Sequence, residues 1–137
     1  MHFYDETREC ELYKNFLFCF IQLLLQPLLE VDYYQDAMEY YREEYGEKDT
    51  IFLLTSDDMI WARGSKELQE EKNLYFVGCG TTNDMNCVSQ DFAFLASCNH
   101  TIISHGSFGQ WAGYLVGGEM YTEYGALNPD SYQYQNV

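Results

Sequence analysis

Short apolar runs alternate with segments of helical periodicity along most of the chain, and this alternation limits the fold more than any other feature. Residues 51–55 are apolar or β-branched at every position, which is typical of a strand buried on both faces. Similar short runs predict three further strands, at 74–77, 101–104 and 120–122. Because segments of helical spacing separate these strands, we predict an α/β fold, with a Rossmann-like parallel sheet and flanking helices.

The segment that begins at Val31 carries the strongest helical pattern. Apolar and aromatic side chains recur there at helical spacing as far as Tyr45, while acidic side chains fill the opposite face. Gly46 then stands where a left-handed residue commonly ends a helix. Weaker patterns predict three further helices, at 59–69, 91–97 and 110–116. The tail from Asn128 is predicted to be loosely structured.

Residues 16–25 form an apolar run that is interrupted only by Gln22. The run is too short to cross a membrane, which takes about 20 residues. Acidic residues precede it, where a signal peptide would carry positive charge. We therefore favour a buried helix here, with a partial signal-anchor or a segment foreign to the fold as the alternatives.

The acidic balance of the chain limits its partners. With 22 acidic and 7 basic residues, the formal net charge is −15. This charge excludes a general nucleic-acid binder, because phosphate contacts need clustered Lys and Arg. An anionic ligand would have to be held by backbone N–H groups and local dipoles. The hydrophobic fraction of 47% and the aromatic fraction of 18% predict a packed core despite the charge.

The cysteine pattern leaves the pairing of thiols open. Five cysteines cannot all pair within one chain, and no spacing of Cys or His suggests zinc, so we predict no metal site. Cys79 and Cys87 are close enough in sequence to bridge a loop. Buried free thiols are nevertheless the favoured interpretation.

The loops that follow the predicted strands carry polar and glycine-rich sequence. In parallel sheets with helices on both faces, ligands bind outside the carboxyl ends of the strands. The loops at 56–58, 78–80 and 105–109 should therefore share one edge of the sheet. This edge is the predicted place for a ligand.

The last of these loops carries the strongest local signal. Gly106, Ser107, Phe108 and Gly109 lead from a strand into a predicted helix, whose free N–H groups and dipole favour a phosphate. No P-loop lysine follows, so the pattern is not that of a phosphoryl-transfer enzyme. The alternative is that Ser107 acts only as the N-cap of the helix.

Three carboxylates and two histidines complete the candidate site. Asp91 begins a predicted helix, where the dipole stabilises a carboxylate; alternatively it reads guanine, accepting from N1–H and N2–H₂ together. Asp57 and Asp58 follow a strand, and helix capping is favoured over metal binding because no third ligand accompanies them. Structural roles are favoured for His100 and His105.

Several stretches, taken in order, resemble the galactoside α-1,2-fucosyltransferase family, which is glycosyltransferase family 11. The matching stretches are IFLLTSDDM (51–59), FVG (76–78), DFAFL (91–95), CNHTII (98–103), GSFG (106–109), WA (111–112), YL (114–115) and GGE (117–119), with a fainter match in PDS (129–131). The similarity starts near Val31 and extends almost to the end of the chain. The division that it implies is an unmatched segment at 1–30 and a donor-binding domain at 31–137.

The resemblance implies one half of a GT-B glycosyltransferase, which transfers L-fucose from GDP-fucose to the 2-hydroxyl of a terminal galactose. The resemblance implies an enzyme that needs no cofactor and no obligatory metal. It also implies that this enzyme is bound to the Golgi membrane and faces the lumen. By this resemblance Asp91 matches the guanine-reading acid, and Ser107 with Gly106, Phe108 and Gly109 matches the diphosphate site. The pair at 57–58 matches a position at the edge of the cleft.

One family motif has no counterpart in this sequence. The family carries His-x-Arg-Arg-x-Asp, whose arginine neutralises the leaving diphosphate, whereas Arg8, Arg42 and Arg63 stand isolated here. Charge on the leaving GDP must be stabilised in the transition state, so no catalytic residue is assigned. The alternative prediction is therefore a truncated, inactive remnant that at most binds GDP or GDP-fucose.

Overall fold

A computed structural model of the chain describes residues 17–23, 29–79, 84–104 and 106–132, with backbone alone for 17–23 and 131–132. The strands are β1 (Leu17–Leu23), β2 (Thr50–Ser56), β3 (Leu74–Phe76), β4 (His100–Ile102), β5 (Met120–Thr122) and β6 (Gly125–Leu127). The helices are α1 (Val31–Tyr45), α2 (Met59–Gly64), α3 (Lys66–Gln69), α4 (Met85–Ala96), α5 (Ser107–Val116) and α6 (Pro129–Tyr132).

The described strands form one sheet in the order β3-β2-β1-β4-β5-β6. Strands β1 to β5 run parallel to one another, and β6 runs antiparallel to β5. This is the strand order of doubly wound nucleotide-binding sheets. The prediction of an α/β fold with a parallel sheet and flanking helices is confirmed.

The described part of the run at 16–25, residues 17–23, is a strand, so the prediction of a buried helix there was wrong. Residues Leu17–Leu23 form β1, which pairs with β2 on one side and β4 on the other. A short continuous apolar run has no periodicity that separates a helix from a buried strand. Residues 17–23 form a strand because the neighbouring strands β2 and β4 offer them backbone hydrogen bonds. One strand of the sheet therefore comes from the segment at 1–30, and the division at residue 30 stays a prediction.

Helices cover both faces of the sheet. Successive side chains of β2 therefore pack into two different hydrophobic clusters, one on each face. Phe52 and Leu54 face a cluster that includes residues of α1, α2 and α3, which we call the α1 layer. Leu53 faces the opposite cluster, which contains Leu95 and residues of α4 and α5, and which we call the α5 layer. Strands buried on both faces have continuous apolar sequence, as residues 51–55 do.

Three predicted helices have limits different from those expected. The helix expected at 110–116 begins at Ser107, so residues 107–109 of the predicted turn are helical. Capping side chains account for the other two differences. The segment at 59–69 divides at Ser65, whose hydroxyl accepts the Leu68 N–H and starts a second helix, α3. The helix expected at 91–97 begins at Met85, because Asp84 caps it by accepting the Asn86 N–H at 2.9 Å. Capping side chains, which a search for apolar spacing ignores, set both boundaries.

The end of the chain is more ordered than predicted over the residues that the structure describes. Strand β6 forms a hairpin with β5, in which Thr122 Oγ1 donates to the Gly125 carbonyl oxygen at 3.1 Å. Helix α6 starts at Pro129, a residue suited to the first turn. At the end of α1, Gly46 has the expected positive φ of 97°, although its ψ of 133° lies outside the left-handed helical region.

Candidate functional site

The carboxyl ends of β2, β3 and β4 lie at one edge of the sheet, because these strands run parallel within it. The described parts of the three predicted loops, 56–58, 78–79 and 106–109, follow these ends. The prediction that they share an edge is therefore confirmed. Gly80 and His105, which complete two of the loops, lie outside the described residues.

The turn into α5 is set by Gly106. Its φ of 102° and ψ of 162° are accessible to glycine at little cost and strained for other residues. Gly106 is the N-cap, and Ser107 is the first residue of the helix, so the interpretation of Ser107 as N-cap was wrong. Because glycine has no side chain, no cap hydroxyl or carboxylate covers the N–H groups of the first turn. Both Gly106 and Ser107 are exposed.

The next two residues anchor this turn to the protein. The Phe108 ring packs edge-on against Phe92 of α4, with ring centroids 5.1 Å apart. Gly109 is buried. The contact between the rings places Ser107 and Asp91, their neighbours in sequence, on adjacent helices. The start of α5 is therefore packed against α4, while Gly106 and Ser107 remain exposed.

Asp91 lies in the middle of α4, and the interpretation of it as a helix-start residue was wrong. The side chain is 8% exposed, and its Oδ1 accepts the Cys79 N–H at 3.1 Å. The helix dipole acts mainly on the first turn, so it does not explain a carboxylate at this position. A buried carboxylate needs hydrogen-bond donors, and the loop after β3 supplies one.

The loop after β3 is also tied to α4 covalently. Cys79 and Cys87 form a disulfide with 5.5 Å between their Cα atoms, so free thiols were the wrong interpretation for this pair. Their sulfur atoms lie within 4.8 Å of a carboxylate oxygen of Asp91. Because the sulfurs are bonded to each other, neither offers a thiolate to a metal. Cys98 is free and buried as predicted, and burial raises the pKa of its thiol to about 12.

The carboxylates at the end of β2 are organised by local hydrogen bonds. Asp58 is the N-cap of α2, and its Oδ1 accepts the Trp61 N–H at 2.9 Å. The Ser56 hydroxyl accepts the Asp58 N–H, also at 2.9 Å. Asp57 is half-buried beside them. The capping role predicted for this pair is confirmed for Asp58.

His100 has a structural role, as predicted. Its Nδ1 accepts the Glu119 N–H at 2.9 Å, and its ring lies 5.5 Å from that of Tyr41 and 4.8 Å from that of Tyr45. Burial lowers the pKa of the imidazole to about 4. It is therefore neutral near pH 7, which suits a hydrogen-bond acceptor.

Sequence reasoning missed the close approach of Gly78 to β2 and the bond between Cys79 and Asp91. A Cβ added at Gly78 would overlap Thr55 Oγ1, so only glycine fits against the end of the strand. The spacing of Cys79 and Cys87 was the one sequence signal for this arrangement. It did not show that the bridged loop would meet Asp91.

The described residues contain no helix that is both long enough and apolar enough to cross a membrane.

These features describe a doubly wound α/β domain with a glycine-capped helix and a buried carboxylate at the edge where its parallel strands end. The sequence model of the family described as glycosyl transferase family 11 matches residues 24–132. The chain therefore belongs to glycosyl transferase family 11. The match includes the turn at 106–109 and Asp91.

Individual relatives carry more specific names. Galactoside 2-alpha-L-fucosyltransferase SEC1 of Bos taurus is 37% identical over 91 residues, which cover 66% of this chain and 23% of that protein. Galactoside alpha-(1,2)-fucosyltransferase 1 of Mus musculus is 39% identical over 87 residues, 64% of this chain and 22% of the relative. Galactoside alpha-(1,2)-fucosyltransferase 2 of Gorilla gorilla gorilla is 38% identical over 87 residues, 64% of this chain and 24% of the relative. The chain thus spans less than a quarter of the length of these relatives.

Proposed function

We propose that this chain binds GDP-fucose at the edge formed by residues 106–109 and Asp91, and that it supplies this site to a galactoside α-1,2-fucosyltransferase. In this proposal the sheet is the donor-binding half of a GT-B enzyme. The family membership and the names of the relatives support the reaction class. The exposed, glycine-capped start of α5 is the single observation that carries the proposal.

The diphosphate of the donor would lie against the first turn of α5. The net charge of −15 repels anions, so affinity must come from groups that act at short range. The backbone N–H groups at 107–109 and the helix dipole are such groups. Ser107 adds an exposed hydroxyl donor.

Asp91 would read the base. Guanine presents N1–H and N2–H₂ side by side, and a carboxylate can accept from both, whereas adenine offers no such pair. Oδ1 already accepts the Cys79 N–H. A carboxylate has about four acceptor sites, so both oxygens retain capacity for the base. Asp57 and Asp58 would border the cleft, with Asp58 fixed as a cap.

The proposed reaction moves L-fucose to the 2-hydroxyl of a terminal galactose on a glycan. GDP is the leaving group of the donor, and the proposed reaction requires no cofactor or metal. We also propose that the reaction takes place at the lumenal side of the Golgi membrane. Donor binding without transfer is the competing outcome, because no residue is assigned to stabilise the leaving GDP.

Calorimetric titration with GDP and ADP tests the two proposed contacts. Asp91→Asn keeps an oxygen for the Cys79 N–H and removes the negative charge, so we expect GDP affinity to fall about tenfold or more while ADP affinity stays the same. Asp84→Asn is the matched control, because it changes an exposed carboxylate that caps the same helix, and asparagine caps equally well. Ser107→Ala should weaken GDP and ADP alike. If both site variants bind as the parent does, the site is wrong.

A transfer assay separates the enzyme from a donor-binding chain. The purified chain is incubated with GDP-fucose and a β-galactoside, and fucosylated product and free GDP are measured. Turnover supports the transferase. Donor binding without product would favour the competing outcome.

A further inference from the structure

The loop after β3 is held against α4 by one covalent bond and one hydrogen bond. Cys79 forms a disulfide with Cys87, and its backbone N–H donates to Asp91. Cys87 and Asp91 are four residues apart on α4, so their side chains lie on the same face of the helix. The disulfide therefore brings the backbone of Cys79 onto the helix face that carries the carboxylate.

The chain before Cys79 is fixed independently of the disulfide. The N–H groups of Val77 and Gly78 donate to the Leu54 carbonyl oxygen at 2.9 and 3.2 Å. Gly78 also packs directly on Thr55, with no room for a side chain. Opening the disulfide would therefore release Cys79 and leave the end of β3 in place.

We propose that Cys79 and Cys87 are positioning residues for base recognition, an inference that rests on the proposed donor site. Their disulfide keeps the Cys79 N–H on Asp91 Oδ1, which fixes the plane of the carboxylate toward the two donors of guanine. A carboxylate without this partner rotates about its terminal bond and loses the paired geometry. Reduction of the disulfide therefore lowers the preference for guanine and leaves diphosphate binding at α5 intact.

The redox step needs a reductant, and a dithiol is the class that fits. It supplies two electrons and two protons: the Cys79–Cys87 bond breaks, two S–H groups form, and the dithiol becomes a disulfide. Cys79 is exposed, whereas Cys87 is 5% exposed, so attack occurs at Cys79. The buried thiol of Cys98 takes no part in the exchange.

The experiment titrates the air-oxidised chain with GDP and ADP, before and after a dithiol reductant, while mass spectrometry follows the disulfide. We expect GDP to bind about tenfold more tightly than ADP when the disulfide is present, and less than about threefold more tightly after reduction. ADP affinity should change less than about twofold. Cys79→Ser with Cys87→Ser should behave as the reduced chain and ignore the reductant, which controls for the other cysteines.

Several results would overturn the proposal. An unchanged GDP-to-ADP ratio after verified reduction shows that the disulfide does not position Asp91. An equal loss for both nucleotides assigns the disulfide a merely structural role. An oxidised chain that binds neither nucleotide refutes the donor site itself, and the inference with it. If the double serine variant does not fold, as judged by thermal melting, the reductant titration of the parent decides.

Discussion

The two layers of helices pack on the sheet in different ways. Helix α1 buries large side chains and reaches across the sheet with polar ones: the Tyr33 hydroxyl donates to the Ile103 carbonyl oxygen at 2.6 Å, and that of Tyr41 donates to the Glu119 carbonyl oxygen at 3.3 Å. Helix α5 buries small residues, and a Cβ added at Gly113 would lie 2.7 Å from Met120 Cε. Of its large side chains, Phe108 packs inward, whereas Trp111, Tyr114 and Leu115 are exposed.

This difference suggests that the α1 layer supplies most of the stability, whereas the start of α5 supplies the proposed binding. Large buried side chains contribute most of the hydrophobic free energy of folding, and the α1 layer holds most of those that the structure describes. Small residues let the backbone of α5 approach the sheet closely, which suits a site built from N–H groups. We infer that substitutions in the α1 layer mainly change stability and that those at the start of α5 mainly change binding.

The largest expected effect comes from comparing two phenylalanines, one buried in the α1 layer and one exposed on α4 outside the α5 layer. Phe52 is fully buried against the α1 layer, whereas Phe94 of α4 is 43% exposed. We expect Phe52→Ala to lower the free energy of unfolding by about 3–5 kcal/mol, through lost burial and the cavity left behind. Phe94→Ala should cost less than about 1 kcal/mol. Urea unfolding measures both, and equal losses would show that burial in the α1 layer does not set the cost.

A smaller effect is expected from the ion pair that closes the α1 layer. Arg42 and Glu71 lie 2.8 Å apart with side chains 11% and 13% exposed, and the guanidinium also stands 5.0 Å from the centre of the Phe52 ring. Arg42→Met should lower the free energy of unfolding by about 1–3 kcal/mol, because Glu71, mostly buried, loses its positively charged partner and, among the described residues, keeps only the Gln35 amide.

The matched control for this pair is Lys72→Met, which breaks an ion pair with Glu47 that is 74% and 52% exposed. Its cost should be much smaller than that of Arg42→Met and should shrink further in high salt. Chemical denaturation at two salt concentrations distinguishes the two variants. A control that costs as much as Arg42→Met would show that burial does not set the value of these pairs.

The smallest effect concerns pH. The pKa of His100 falls from its ordinary 6.5 to about 4 in the folded chain, so between these values the unfolded chain binds a proton that the folded chain does not. Stability should therefore be full above pH 6.5 and should fall as the pH drops toward 4, by on the order of 1 kcal/mol after allowance for partial exposure. His100→Asn keeps an acceptor and does not titrate, so its thermal melting should lack this component. An identical pH profile for parent and variant would show that His100 does not cause the loss of stability at low pH.

Much of the parallel sheet could be predicted from local sequence. Continuous apolarity at 51–55 and helical spacing from Val31 identify elements because each pattern reflects burial on particular faces. The same reasoning placed the turn at 106–109 beside a strand end. It failed for residues 16–25, where apolarity has no period, and at Asp84 and Ser65, where a single hydrogen bond starts a helix.

The sequence by itself determined the class of fold, the edge of the sheet where the polar and glycine-rich loops lie, and the acidic net charge. Tertiary structure decided which residues meet there. The strand at Leu17–Leu23 forms because two neighbouring strands offer it hydrogen bonds. The bond from Cys79 to Asp91 forms because the loop after β3 folds back onto α4. Contacts between residues distant along the chain depend on how the elements pack, and local sequence patterns do not predict that packing.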